Sequence, residues 1–331
     1  MPPSAPAMTA AGGSLLEVRG LRVEFEGRAA VENVSFEIAP GEVLGLVGES
    51  GSGKSTLARA LLRLVPAARG TVSWRGTDLL RCKGAALRRR RRDLQMVFQD
   101  PLASLDPRMT VGETLAEPLE IFEPELGSQA RTKRVAEMLE RVGLASTAAG
   151  RYPHEFSGGQ CQRIGIARAM MPRPQLLVCD EPVSSLDVSI QGQIVNLLSD
   201  LQRDLKTALL FISHNLAVVR HLSDRVMVMY AGRIVETARR EELFAAPVHP
   251  YTRALLAAVP DPSAAAPARE EVRTRISSAN EAAARGGCAY RGRCELAQAP
   301  CEQAVPVLEP VAVEHAVACH RRAELVYSYE R

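Results

Sequence analysis

The sequence VLGLVGESGSGKST, residues 43–56, decides the fold of this chain. Its first five residues form an unbroken apolar run, which is typical of a strand buried on both faces of a parallel sheet. The part that follows fits the pattern G-x-x-x-x-G-K-S/T, in which glycines let backbone N–H groups surround phosphates at the start of a helix. We therefore predict a strand, a phosphate-binding loop and a helix that together bind Mg-ATP.

Each residue of this loop has an expected task. Lys54 is expected to reach the β- and γ-phosphates, and Ser55 to ligate Mg²⁺. The residues assigned to ATP binding are Gly48, Glu49, Ser50, Gly51, Ser52, Gly53, Lys54, Ser55 and Thr56.

A second strand must bring carboxylates to the phosphates. LLVCDE, residues 176–181, has the required form, an apolar run that ends in two acids. Asp180 is expected to hold Mg²⁺ directly or through water, and Glu181 to polarise the attacking water. An isolated Asp-Glu pair at a strand end would be unremarkable, so this interpretation depends on the phosphate-binding loop.

Composition limits the classes of protein. The chain has 331 residues, 46% of them hydrophobic, and a net charge of +3, which is too small to indicate nucleic-acid binding. Because no run approaches 18 apolar residues, no membrane span is expected. The start lacks a signal-peptide pattern, so we expect a disordered tail over residues 1–14 and a protein kept in the cytosol.

Strands that alternate with helices predict an α/β fold with a mostly parallel sheet around the P-loop ATPase core. Residues 15–259 form the expected nucleotide-binding domain, and its helical stretch at about 101–174 is interpreted as an inserted helical subdomain. A Pro/Ala linker follows residue 260, and a small cysteine-containing C-terminal extension completes residues 260–331.

Further motifs stand in a fixed order along the chain. FSGGQ at residues 156–160 resembles the signature motif of ATP-binding cassette (ABC) proteins. Gln99 after a strand resembles their Q-loop, SSLD at residues 184–187 their D-loop, and His214 at a strand end their H-loop. The resemblance covers residues 15–260, and the motifs are highly specific in combination.

The resemblance implies a dimeric enzyme. In such proteins the signature caps the γ-phosphate held by the partner's P-loop, so hydrolysis needs two cassettes. The implied catalytic residues are Glu181, His214 and Gln99, and the implied Mg²⁺ ligands are Ser55, Gln99 and Asp180. The trans signature comprises Ser157, Gly158, Gly159 and Gln160, with Asp187 in the D-loop. Phe25 is expected to stack on adenine; the alternative is that this strand aromatic belongs to the core.

Three longer stretches, residues 97–119, 152–170 and 249–260, resemble the oligopeptide/dipeptide (peptide/nickel) importer branch of the family. This resemblance implies two membrane permeases, a second ATPase subunit that is homologous or identical, and an extracytoplasmic solute-binding protein. The chain would then work as a peripheral subunit on the cytoplasmic face of the cell (inner) membrane. One departure is Cys161, where the branch usually has Arg; it puts in doubt only the contacts that the Arg would make.

Four cysteines cluster near the C-terminus, at Cys288, Cys294, Cys301 and Cys319. Four thiolates suit either tetrahedral zinc or an iron–sulfur cluster, and unliganded thiols remain a third interpretation. The importer branch carries such a set, and the resemblance implies a 4Fe-4S cluster with a structural role.

The sequence also bears on two alternative functions, a cassette ATPase that acts on nucleic acid or ribosomes and a catalytically inactive partner. The five arginines at residues 88–92 lack the aromatic platform of a nucleic-acid site, so we interpret them as a solvated or nucleotide-adjacent face. Contact with anionic lipid headgroups is the alternative for a peripheral membrane subunit. A soluble cassette ATPase acting on nucleic acid or ribosomes would usually carry two cassettes or a long coiled-coil insertion, and the sequence has neither. A catalytically inactive partner would lack one of the motif residues, and all are present.

Overall fold

The structure is a computed structural model, and it describes residues 13–258 and 286–327. The predicted N-terminal tail lies almost entirely outside the described residues, as does the Pro/Ala linker. The described strands are, in chain order, β1 (Leu16–Phe25), β2 (Arg28–Ile38), β3 (Val43–Val47), β4 (Arg69–Trp74), β5 (Thr77–Asp78), β6 (Leu94–Val97), β7 (Leu176–Asp180), β8 (Ala208–Ile212), β9 (Arg225–Tyr230), β10 (Arg233–Arg239), β11 (Glu309–Ala312) and β12 (His315–Val317).

The described α-helices pack around these strands. They are α1 (Lys54–Leu61), α2 (Gly84–Asp93), α3 (Val111–Phe122), α4 (Ser128–Arg141), α5 (Gly158–Met170), α6 (Val188–Leu205), α7 (Leu216–Leu222), α8 (Arg240–Ala245), α9 (Pro250–Ala257), α10 (Ala299–Gln303) and α11 (Arg322–Tyr327). Strand β3 coincides with the apolar run that predicted it, residues 43–47, and β7 lies within the predicted stretch 176–181.

The main sheet has eight strands in the order β11-β12-β10-β9-β3-β8-β7-β6. The strands from β9 to β6 run parallel, while β9 with β10, β10 with β12 and β12 with β11 pair antiparallel. Every residue of β3, β7 and β8 is buried because these strands lie in the centre with packing on both faces. The carboxyl ends of β3 and β7 therefore meet at one edge, where the phosphate-binding loop begins.

A second, four-stranded antiparallel sheet has the order β2-β1-β4-β5. Its buried residues, among them Leu16, Val23 and Trp74, form one apolar cluster with Leu57 of α1 and Leu46 of β3. Helix α1 is thus enclosed between the two sheets, which fixes the direction in which its first turn points.

The helical subdomain contains α3, α4 and α5. Helix α3 begins with a capping box in which Thr110 and Glu113 satisfy each other's backbone N–H groups. Leu119, Leu139 and Ile164 lie in the large apolar cluster that also includes Leu177 of the main sheet. The subdomain is therefore packed continuously with the sheet that carries the carboxylate strand.

The C-terminal extension joins the main sheet, although the sequence indicated only a short appendage with little core. Thr237 of β10 pairs with Ala316 of β12. The Glu236 carboxylate, fully buried, accepts hydrogen bonds from the backbone N–H groups of Val248 and His249 and lies 2.8 Å from His315 Nε2. The pairing of β10 with β12 and the contact of Glu236 with His315 hold the extension against the end of the nucleotide-binding domain.

Helix α2 carries the arginine run and buries none of its residues. Arg92 pairs with Glu123 across 3.0 Å, which places this end of the run against the helical subdomain. Over residues 13–258 and 286–327, no helix is both long enough and apolar enough to cross a membrane.

Candidate nucleotide-binding site

The phosphate-binding loop is held in a confined space. Gly53, just before α1, has a φ of 104°, in the left-handed region that favours glycine, and a Cβ there would lie 2.3 Å from the carbonyl oxygen of Ala30. A Cβ on Gly48 would lie 2.2 Å from the carbonyl oxygen of Met229. Any side chain at either position would clash with a backbone carbonyl, so both residues must be glycine. The loop is thus confined between β2 and β9.

Lys54 lies at the first position of α1 and is 4% exposed. Its Nζ donates to the carbonyl oxygens of Gly48 and Glu49, each at 2.8 Å, and lies 3.9 Å from Glu181 Oε1. Burial lowers the pKa of Lys54, and the nearby carboxylates, Glu181 first, oppose that effect. The ammonium group is thus already held at the loop that is to receive the phosphates.

Ser55 and Asp180 come together as the sequence predicted for a Mg²⁺ site. Ser55 Oγ donates to Asp180 Oδ1 at 2.8 Å, and the Asp180 side chain is almost completely buried. Burial raises the pKa of Asp180, while the bond from Ser55 lowers it. Hard oxygen ligands at this distance from the phosphate loop fit Mg²⁺, and a bound cation would stabilise the ionised carboxylate.

Glu181 lies directly after β7 and has a φ of 48°, a left-handed conformation that costs a non-glycine residue about 1–3 kcal/mol. Its Oε2 lies 3.1 Å from Nδ1 of His214, which follows β8. The two side chains predicted to act on the attacking water and the γ-phosphate are therefore in contact. Backbone strain of this kind concentrates at functional sites.

Of these residues, Lys54, Ser55, Glu181 and His214 line one open cavity of about 520 Å³ beside the start of α1. The described lining residues are Ala30, Ser50, Gly51, Gly53, Lys54, Ser55, Thr56, Gln99, Glu181 and His214. Gln99 thus lines the same cavity as the P-loop, although 45 positions separate it from Lys54. Ala30 lines the cavity too, although no sequence motif indicates it.

The signature motif lies elsewhere on the chain. Ser157 caps α5: its Oγ accepts from the backbone N–H of Gln160, and the Gln160 side chain accepts from the backbone N–H of Ser157. Among the described residues that line the 520 Å³ cavity, none comes from Ser157, Gly158, Gly159 or Gln160. The exposed Asp187 precedes α6, and Ile190 of that helix packs against Gly159.

Four predicted ATP-binding residues are not among the described residues that line the cavity: Phe25, Gly48, Glu49 and Ser52. Phe25 is 47% exposed at the end of β1, so the alternative that it belongs to the core is wrong. Stacking on adenine stays a prediction. Glu49 is bound outside the cavity: its N–H donates to Tyr251 Oη at 2.9 Å, and its carboxylate pairs with Arg293 at 2.9 Å. Its assignment as an ATP-binding residue therefore also stays a prediction.

Cys161, the departure from the importer pattern, is fully buried on α5, and its thiol lies 3.4 Å from the carbonyl oxygen of Pro153. Burial raises its pKa. The residue is a neutral member of the apolar cluster that also contains Ile164, and it makes no contact on the surface.

The structure brings the C-terminal cysteines to one place. Cys288, Cys294, Cys301 and Cys319 all line a cavity of about 20 Å³. Burial raises the pKa of Cys288 and Cys294 and raises that of Cys319 to about 11. Within residues 13–258 and 286–327, however, no group of three or more His, Cys, Asp or Glu side chains has the arrangement of a metal site.

Comparisons with known proteins agree with this geometry. Residues 31–184 match the family described as ABC transporter, and residues 235–301 match the C-terminal region of oligopeptide/dipeptide transporters. The oligopeptide transport ATP-binding protein OppF of Salmonella typhimurium is 50% identical over 319 residues, covering 92% of this chain and 95% of that protein. The chain belongs to the ABC transporter family.

Further relatives and a solved structure fit the same assignment. The OppF protein of Escherichia coli is 48% identical over 330 residues, covering 95% of this chain and 98% of its own length. A dimeric, post-hydrolysis structure of the ATP-binding cassette MJ0796 with ADP and Pi matches with a TM-score of 0.62 and 27% identity, over 68% of this chain and 98% of that one. This chain, as a member of the ABC transporter family, is an ATPase.

Proposed function

We propose that this chain is the ATP-hydrolysing subunit that energises the import of di- or oligopeptides through a pair of membrane permeases. The observation that carries the proposal is one cavity lined by Lys54, Ser55 and the Glu181–His214 pair, with Asp180 hydrogen-bonded to Ser55. Relatives of about 50% identity over nearly the full length are oligopeptide transport ATP-binding proteins.

The geometry assigns a task to each residue in hydrolysis. Lys54 would leave the two carbonyl oxygens that it now contacts and bind the β- and γ-phosphates, whose charge is a better partner. Ser55, Asp180 and Gln99 would hold Mg²⁺, which neutralises charge on the phosphate oxygens. Glu181 would accept a proton from the attacking water, and His214 would orient Glu181 and contact the γ-phosphate.

The second half of each site would come from a partner ATPase. Ser157, Gly158 and Gly159 lie at the N-terminus of α5, whose free N–H groups and dipole favour an anion. They are remote from the chain's own cavity, so they suit the γ-phosphate on another subunit. Asp187 would lie at the same interface. The partner is either a copy of this chain or a homologous ATPase.

A groove between the main sheet and the helical subdomain suits a permease helix. It has a volume of about 390 Å³, and many of its lining side chains are apolar; its charged lining residues are Arg63, Arg91, Glu117 and Arg168. Phe98, Ile121 and Leu64 line it and are 40%, 41% and 47% exposed. Because Phe98 precedes Gln99, a helix in this groove would be coupled directly to the ATP site. The chain would then sit on the cytoplasmic face of the membrane.

Replacing Ile121 by Glu is expected to release the chain from its permeases. A buried Ile contributes about 1.5–3 kcal/mol, so its loss to a carboxylate weakens binding roughly 10- to 100-fold. The test is affinity purification from mildly solubilised membranes with identification of the co-purifying proteins. The control is Val313→Glu, since Val313 is 84% exposed on the extension, away from the groove.

The two outcomes separate the candidate functions. Recovery of two polytopic permeases with the wild-type chain and the control, but not with Ile121→Glu, supports the importer and gives the stoichiometry of ATPase subunits. A solute-binding protein would be recovered only through the permeases. A chain that purifies alone, or with ribosomes or nucleic acid, would leave the ATPase chemistry intact and overturn the transport assignment in favour of a soluble cassette ATPase.

We also propose that the four C-terminal thiols hold a 4Fe-4S cluster with a structural role. Four thiols around one cavity supply the right donors, and backbone N–H groups are directed at three of the sulfurs, those of Cys288, Cys294 and Cys319. The cavity is too small for a cluster as it stands, so binding would require these loops to move apart.

The chain purified without oxygen is expected to contain about four irons and four sulfides. The variant Cys319→Ser is expected to lose them. The control Cys82→Ser, at a cysteine far away in sequence, is expected to retain them. Elemental analysis and visible absorption measure this. One tightly bound zinc, or intact protein with neither metal, would contradict the proposal. If cluster oxidation abolished uptake while folding and assembly were unchanged, the cluster would not be merely structural.

A further inference from the structure

One turn of the C-terminal extension reaches the phosphate-binding loop. Arg293 lies in the short 3₁₀ turn Arg291–Arg293, between Cys288 and Cys294. Its Nη1 is 2.9 Å from Glu49 Oε2, although 244 positions separate the two residues. The Arg293 side chain is 14% exposed and that of Glu49 is 27% exposed, so the ion pair is largely shielded from water.

Aromatic rings surround this ion pair. The Arg293 guanidinium lies 5.6 Å from the ring centroid of Tyr290 and 5.9 Å from that of Tyr230. The Tyr290 ring packs edge-on against Tyr230, with centroids 5.2 Å apart, and at a tilt against Tyr251, with centroids 5.4 Å apart. Tyr230 ends β9, directly after the Met229 carbonyl that Gly48 approaches. The extension thus contacts both the loop and the strand end beneath it.

Three polar groups of Glu49 have partners within the chain. Its N–H donates to Tyr251 Oη, its carboxylate pairs with Arg293, and its carbonyl oxygen accepts from Lys54 Nζ. A shift of Glu49 would therefore move the carbonyl that positions the lysine of the ATP site. The Glu49 carboxylate, which accepts a hydrogen bond from the guanidinium, raises the pKa of Arg293 above its usual value, so Arg293 stays charged.

We propose that Arg293 and Tyr290 are positioning residues of the ATP site, through which the cysteine-bearing extension holds the phosphate-binding loop in its binding conformation. Arg293 sets the position of Glu49, and Tyr290 supports Tyr251, the hydroxyl partner of the same residue. The proposal rests on the ATPase function, since it concerns the affinity of the loop for ATP. It gives the extension a role in nucleotide binding beyond that of a structural appendage.

The expected signature is a change in KM without a matching change in kcat. Charge-assisted hydrogen bonds contribute enough to change an equilibrium constant by about tenfold. In Arg293→Gln, the loop samples other conformations before ATP binds, so KM for ATP rises about tenfold while kcat changes less than threefold. Glu181 and His214 do not contact the ion pair, which is why the chemical step is unaffected.

The test uses the full-length chain and measures steady-state ATPase activity and ATP affinity. The matched control is Arg291→Gln: Arg291 lies in the same turn, but its guanidinium donates only within the extension, to the carbonyl oxygens of Gly286 and Cys288. Glu49→Gln breaks the ion pair from the other side and must raise KM to the same extent. The double variant Glu49→Gln/Arg293→Gln must be no worse than either single one.

Three results would overturn the proposal. They are an unchanged KM in both single variants, an equal rise in Arg291→Gln, and fully additive effects in the double variant. If Arg293 only stabilised the fold, Arg293→Gln would instead lower the melting temperature of the nucleotide-free chain and also reduce kcat. Lack of ATPase activity in the wild type would refute the proposed function, whereas wild-type activity with an unaffected Arg293→Gln would refute this inference alone.

Discussion

The variant Glu181→Gln is expected to bind ATP normally and to hydrolyse it about 10²- to 10⁴-fold more slowly, the usual contribution of a general base. Glutamine has the shape of glutamate and can still contact His214 Nδ1, which lies 3.1 Å from Glu181 Oε2. It cannot accept the proton of the attacking water. Because ATP stays intact, the two cassettes are expected to remain closed on it.

Two measurements check this expectation. Phosphate release gives the rate, and size-exclusion chromatography with Mg-ATP gives the fraction of closed dimer, which must rise in the variant. Glu137→Gln is the matched control, because Glu137 is exposed on α4 and pairs only loosely with Lys133, at 3.9 Å. Near-normal turnover in Glu181→Gln would remove Glu181 from its role, and the strained φ of 48° would then need another explanation.

The nucleotide site could be predicted from sequence because its parts are short and contiguous. Residues 48–56 contain the loop and the first turn of α1 together, and Asp180 and Glu181 follow directly after a buried strand. Parallel strands place their carboxyl ends at one edge, so the order of the motifs implies the assembly of the site. The contact of His214 with Glu181 follows from the adjacency of β7 and β8.

The contacts of the extension could not be predicted in the same way. Glu49 and Arg293 are 244 positions apart, and neither residue has a local pattern that indicates a partner. The stretch with Tyr251 was useful only as a mark of resemblance, yet the structure places its hydroxyl on the P-loop. Likewise β11 and β12 are only four and three residues long, too short for alternation to indicate a strand.

Burial explains a further difference between sequence and structure. Cys161 was identified as a departure that could affect partner contacts, since the importer branch usually has a charged residue there. In the structure it is fully buried, with its thiol directed at a backbone carbonyl. Whether a residue of α5 is buried depends on how the helix packs against α3 and α6. The sequence alone does not show this packing, so it could not indicate that Cys161 is buried.

The variant Ser157→Arg is expected to stop hydrolysis at the partner's P-loop and to leave the chain's own P-loop functional. Ser157 caps α5, and the N–H groups beside it are the proposed clamp for the γ-phosphate of the opposite subunit. A bulky arginine would hold the two cassettes apart at that site. Clamps of this type, supplied in trans, contribute about 10³- to 10⁵-fold to the rate. Ser157→Thr, which keeps the cap, is the control.

Mixed dimers of two differently tagged copies distinguish a clamp that acts in trans from one that acts in cis. When one copy carries Ser157→Arg and the other Lys54→Ala, both changes fall in the same composite site, and the second site stays intact. About half of the wild-type activity is then expected if the sites work independently. When one copy carries both changes, each composite site contains one of them, so activity falls to background. The reverse order of activities would mean that Ser157 serves the ATP of its own chain, and the sandwich arrangement would be wrong.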